Sequence, residues 1–63
     1  MSDFKTRLIQ ERDELREKYQ KLSEFMCSSQ FPAMEQVHRD LLQQQHCHMN
    51  GYLLTLNQRL DNL

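Results

Sequence analysis

The sequence predicts an all-α protein, an antiparallel two-helix hairpin that assembles into an oligomeric helical bundle. Two long segments carry apolar residues at helical spacing, and the only proline, Pro32, separates them. A chain of 63 residues is also too short to bury both apolar stripes by itself. We therefore predict one helical-hairpin domain over 1–63, with helices over about 3–27 and 32–61 and a turn over about 28–31.

The first helix is predicted from apolar residues that repeat on one helical face. They are Phe4, Leu8, Leu15, Tyr19, Leu22 and Met26. Ser2 or Asp3 can cap the first turn, because either side chain accepts a hydrogen bond from a free N–H group. Glu14 and Lys18 stand in the i,i+4 order that stabilises an exposed helical face. These features predict a helix with one apolar and one charged face.

The second helix is predicted to begin at Pro32, because a missing N–H group costs nothing at a first helical position. Proline also disfavours helical geometry at Phe31, which we expect to fold over the end of the hairpin. The apolar positions of this helix are Met34, Val37, Leu41, Leu42, Met49, Tyr52, Leu53, Leu56, Leu60 and Leu63. Gly51 inside the helix costs about 1 kcal/mol relative to alanine. Either a close neighbour compensates this cost, or the fold tolerates it.

Composition excludes several classes of function. A hydrophobic content of 38% with a net charge of −1 is not typical of a disordered chain. The chain has no excess charge for DNA or an anionic membrane, and no apolar run approaches the roughly 20 residues that span a bilayer. Residues 1–10 contain no apolar signal-peptide core. We expect neither DNA nor membrane as a partner, and a cytoplasmic location.

The cysteines and histidines predict neither a metal site, nor a disulfide, nor a catalytic thiol. His46, Cys47 and His48 are adjacent, whereas helical metal ligands on one face stand three or four residues apart. Cys27 and Cys47 would lie roughly 20 Å apart along the hairpin, too far for a disulfide. Neither thiol has a histidine placed as its base. We predict no metal, no cofactor and no enzymatic activity.

Polar residues interrupt both apolar stripes. Glu11 and Arg12 do so in the first helix, and Gln45 and His48 in the second. With a turn near 29–31, Arg12 would fall opposite His48, so the two interruptions would meet. They could form a polar layer that fixes register and oligomer state. They could instead form a polar pocket at a subunit interface.

The pocket interpretation assigns ligand-binding roles to residues near these interruptions. Arginine binds anions such as phosphate through charge-assisted, often bidentate hydrogen bonds, and a tyrosine ring can stack on a flat ligand. Arg12 or Arg16 would bind an anion, and Tyr19 or Tyr52 would stack. The predicted partners are further copies of the chain, as a dimer or higher homo-oligomer.

The chain also resembles a known group of proteins. The residues that carry the resemblance are Leu42, Gln45, Met49, Tyr52, Leu56, Arg59 and Leu60, preceded by KLSEFMCSSQF. Over about 4–62 they resemble small helical-hairpin proteins of tailed phages and prophages, which are similar to the phage anti-CBASS sponges. The resemblance implies a phage-encoded, non-enzymatic oligomer that sequesters a cyclic di- or trinucleotide immune signal between subunits, in the cytoplasm of the infected bacterium. In such a sponge, Arg12 and Arg16 would hold phosphate. Tyr19 and Tyr52 would stack on bases, and Gln45 and His48 would contact polar edges of the ligand. The alternative is an adaptor that binds a host protein through the face of the hairpin.

Overall fold

Two helices packed side by side form the whole architecture. A computed structural model describes residues 3–63, in which α1 spans Asp3–Met26 and α2 spans Gln36–Asp61. The helices run antiparallel in a rod of 49 × 15 × 13 Å. The predicted all-α hairpin is therefore confirmed, whereas the capping role suggested for Ser2 lies outside the described residues.

Residues 27–35 close the end of the hairpin. The Ser28 hydroxyl donates to the Phe25 carbonyl oxygen at 2.6 Å and accepts the Gln30 N–H at 3.3 Å. The Phe25 carbonyl also accepts the Ser28 N–H at 3.0 Å, so Ser28 closes the last turn of α1. Phe31 packs edge-on against Phe25, with ring centroids 6.5 Å apart. Phe31 thus folds back over the hairpin end, as the sequence predicted.

The second helix begins at Gln36, four residues later than the sequence predicted. Pro32 instead takes the second position of a turn, in which the Met34 N–H donates to the Phe31 carbonyl at 3.1 Å. The fixed φ of proline suits that position. Glu35 is extended, with ψ of 146°, and its carbonyl accepts the first N–H groups of the helix. The helix therefore starts after Glu35.

The register between the helices also differs from the prediction. Arg12 reaches Asn57, with Nη1 donating to Oδ1 at 3.5 Å, and does not lie opposite His48. The cause is the connection, which occupies 27–35 instead of about 28–31. Because α2 starts later, each residue of α1 faces a later residue of α2. The polar interruptions of the two helices consequently do not meet at one level.

The core of the hairpin is small. Among residues 3–63, the buried side chains are those of Leu8, Leu53 and Leu56, and Leu56 is fully inaccessible. Other predicted apolar positions are half-buried or exposed. The exposed ones are Phe4, Val37, Leu41, Tyr52 and Leu63. One layer gives each helix a single neighbour, so the rest of its apolar surface stays open.

Replacing Leu56 with alanine should destabilise the fold by about 2–5 kcal/mol, because it leaves a cavity where the side chain has no solvent access. Urea unfolding followed by circular dichroism measures the loss. Leu54→Ala is the matched control, since Leu54 is 56% exposed and should change stability by less than about 0.5 kcal/mol. Equal losses in both variants would contradict this packing.

Candidate ligand-binding groove on α2

An open groove of about 320 Å³ runs along one side of α2. Its lining residues are Leu41, Gln44, Gln45, His48, Met49 and Tyr52. Spacings of three and four residues bring these side chains onto one side of the helix. The volume is at the lower end of the range for small-molecule sites, about 300–1,000 Å³, and the lining mixes apolar and polar groups as such sites do. We call this feature the α2 groove.

Two exposed side chains form the ends of the α2 groove. Leu41 is 55% exposed and Tyr52 is 47% exposed. The Tyr52 hydroxyl donates to Glu11 Oε2 on α1, which holds the ring in place. Gln45 lies with its amide nitrogen 4.0 Å from the Met49 sulfur. Since this is a weak contact, the Gln45 amide remains able to bond to a ligand.

Arg12 and Arg16, the arginines proposed for phosphate binding, do not line the α2 groove. Arg12 forms an ion pair with its neighbour Asp13, Nε to Oδ1 at 3.0 Å, in addition to its bond to Asn57. Its side chain is 24% exposed. Arg16 is exposed and stands one helical turn further along α1. Both arginines therefore belong to the same side of the hairpin.

Helical geometry separates this side from the α2 groove. Tyr52 and Asn57 are five residues apart on α2, so their side chains point about 140° apart around the helix axis. Glu11 contacts the first and Arg12 the second. Within one chain, Gln45, His48 and Tyr52 therefore share the groove, while Arg12 and its neighbour Arg16 lie on the opposite flank.

Tyr19, the remaining predicted site residue, packs between the helices. Its ring stacks on His46 with centroids 4.4 Å apart and planes 23° from parallel. The Ser23 hydroxyl donates to the Tyr19 carbonyl at 2.9 Å. Ser23 Oγ therefore accepts a hydrogen bond from His46 Nε2, 2.7 Å away. This cluster joins α1 to α2 and covers one face of the Tyr19 ring.

Sequence reasoning missed several residues of interest. Leu41, Gln44 and Met49 line the groove, and their three-and-four spacing from Gln45, His48 and Tyr52 could have revealed them. Arg39 was also missed: its Nε is buried and has no hydrogen-bond partner within residues 3–63. No sequence signal predicts that burial, because it depends on tertiary packing.

Other types of site find no support in the part of the chain that the structure describes. Within residues 3–63, no group of three His, Cys, Asp or Glu side chains could hold a metal ion. Cys27 and Cys47 are free and exposed. In the same residues, neither helix combines the length and apolar character needed to cross a membrane.

These features describe a small helical hairpin with an open groove of ligand size. A family model described as Sequestin matches residues 2–62. The chain therefore belongs to the Sequestin family, whose name suggests the sequestration of a signal molecule, a binding activity without catalysis. Comparison with curated proteins gave no match, and neither did comparison with solved structures.

A double-mutant cycle should show energetic coupling between Tyr19 and His46 across the helices. Tyr19→Leu and His46→Leu together should cost less than the sum of the single changes, with a coupling of about 0.5–1.5 kcal/mol from the stacked rings. Urea unfolding of the four proteins measures the coupling. The pair Tyr52→Leu and His46→Leu is the control and should be additive within about 0.5 kcal/mol. Additivity at Tyr19 and His46 would refute the observed register.

Proposed function

We propose that this chain is a non-enzymatic sponge, encoded by a phage or prophage, that sequesters a cyclic di- or trinucleotide immune signal between subunits in the bacterial cytoplasm. The observation that carries the proposal is the Sequestin family match over residues 2–62. A sponge requires binding without reaction. A preformed groove with mixed polar and apolar lining is suited to that task.

The α2 groove supports the proposal through the chemistry of its lining. Tyr52 offers an aromatic face on which a nucleobase can stack. Gln45 and His48 offer hydrogen-bond donors and acceptors for the edges of a base. One groove of about 320 Å³ suits one base better than a whole cyclic dinucleotide. Two grooves related by a two-fold axis would suit a ligand with two bases.

Phosphate binding also requires more than one copy of the chain. Because Arg12 and Arg16 lie on the flank opposite the α2 groove, they can meet a ligand in that groove only from a neighbouring subunit. Their guanidinium groups would then bind phosphate oxygens by charge-assisted bonds. Tyr19 can stack only with the ring face that His46 leaves free. The proposed ligand is therefore held between subunits.

Cyclic dinucleotides and trinucleotides should raise the melting temperature of the wild-type protein by several degrees. At a ligand concentration about five times Kd, linkage to the folded state supplies about 1 kcal/mol. A domain of this size gains about 4–8 °C per kcal/mol. Thermal unfolding by circular dichroism, with and without each nucleotide, measures the shift. A protein that no cyclic nucleotide stabilises, but that binds a defined host protein, would contradict the sponge and favour the adaptor.

Removing the phosphate-binding arginines should abolish this stabilisation. Arg12→Ala and Arg16→Ala should each lose most of the nucleotide-induced shift while remaining helical. Arg7→Ala is the matched control, since it removes an equal charge from an exposed position of α1 outside the proposed site and should keep the full shift. Wild-type binding by Arg12→Ala would exclude Arg12 from the site.

A further inference from the structure

The outer side of α2, which faces away from α1, carries a second regular stripe. Its members are Val37, Leu41, Gln44, His48, Gly51 and Thr55, at alternating spacings of four and three. Residues at these spacings share one face of a helix, so the whole stripe can meet a single partner helix. All six residues are exposed in the single hairpin. We call this set the outer stripe.

Gly51 needs an explanation from outside its own chain. A Cβ atom added at Gly51 would meet nothing within 4 Å, so the hairpin itself places no steric demand there. Glycine is nevertheless less favourable than alanine inside a helix. A close approach by another helix accounts for a residue without a side chain at this exposed position.

The rod is large enough for a standard interface along one side. Its extents of 49 × 15 × 13 Å give one long side of roughly 700 Å². A standard protein interface buries roughly 800 Å² of each partner. A second copy packed along that side of the rod is therefore large enough to form a stable dimer.

We propose that the outer stripe pairs with the outer stripe of a second copy, antiparallel, about a two-fold axis near residue 46. In that register large side chains face small ones: Leu41 of each copy packs over Gly51 of the other. Val37 likewise faces Thr55, and Gln44 faces His48 as a central polar pair. A parallel pairing would instead place Gly51 against Gly51 and leave a gap.

This pairing deepens the proposed function and rests on its assembly between subunits. The two-fold axis places the α2 grooves of both copies side by side on one edge of the dimer. The second copy packs beside Leu41, Gln44 and His48 and would supply the outer wall that each open groove lacks in a single hairpin. Arg12 and Arg16 remain on the other edge, where they serve a ligand only in an assembly of more than two copies.

Variants at Gly51 test the pairing by sedimentation equilibrium in the absence of nucleotide. The wild type should have at least twice the 7.7 kDa chain mass. Gly51→Leu should raise the dimer dissociation constant at least tenfold, because the new side chain collides with Leu41 of the other copy. Circular dichroism should show unchanged helicity. Asn50→Leu, at the adjacent exposed position away from the stripe, is the control and should change the constant less than twofold.

A size exchange provides the second arm of the test. Leu41→Ala combined with Gly51→Leu exchanges the sizes of the two residues that face each other across the dimer, so that a large side chain again meets a small one. The dissociation constant of this double variant should return to within threefold of the wild type. A monomeric wild type, an unaffected Gly51→Leu variant or a double variant without recovery would each overturn the pairing. Nucleotide-induced stabilisation, measured on the same samples, separates the two proposals. A normal dimer without that stabilisation refutes only the sponge.

Discussion

A single layer of two helices limits the apolar surface that this chain can bury. Each helix covers one stripe of the other, and the contact encloses Leu8, Leu53 and Leu56. The remaining apolar side chains stay at least partly accessible, in a domain whose size already makes a lone core marginal. The shape of the rod and the exposed stripe on α2 both follow from this limit.

Polar contacts at the margins of the core set the register between the two helices, which the apolar stripes alone leave undetermined. Leucine-rich stripes permit a slide of one helical turn with little change in burial. Three contacts between the helices can form in only one register. They are the stacking of Tyr19 on His46, the hydrogen bond from His46 to Ser23 and the hydrogen bond from Arg12 to Asn57. Within residues 3–63 no polar side chain is fully buried. These contacts therefore specify alignment without a large desolvation cost.

The proposed ligand site and the proposed pairing surface lie on the same side of α2. The side of the helix that α1 leaves uncovered contains both the groove and the outer stripe. A family whose name suggests sequestration needs a cavity, but one hairpin offers a groove open to solvent. A second copy placed on the stripe would enclose the groove and strengthen polar contacts there, because excluding water lowers the local dielectric. Ligand affinity and self-association are then coupled.

Local periodicity and Pro32 were enough to predict the two helices and the hairpin. The sequence also singled out Gln45, His48 and Tyr52, and the structure places these three side chains along one groove. The tertiary structure decided the start of α2 and the register, since both depend on how residues 27–35 turn. It also decided which stripe of α2 faces α1. Leu41 and Leu42 both fit helical periodicity, and only packing shows that Leu41 remains exposed while Leu42 turns toward the core.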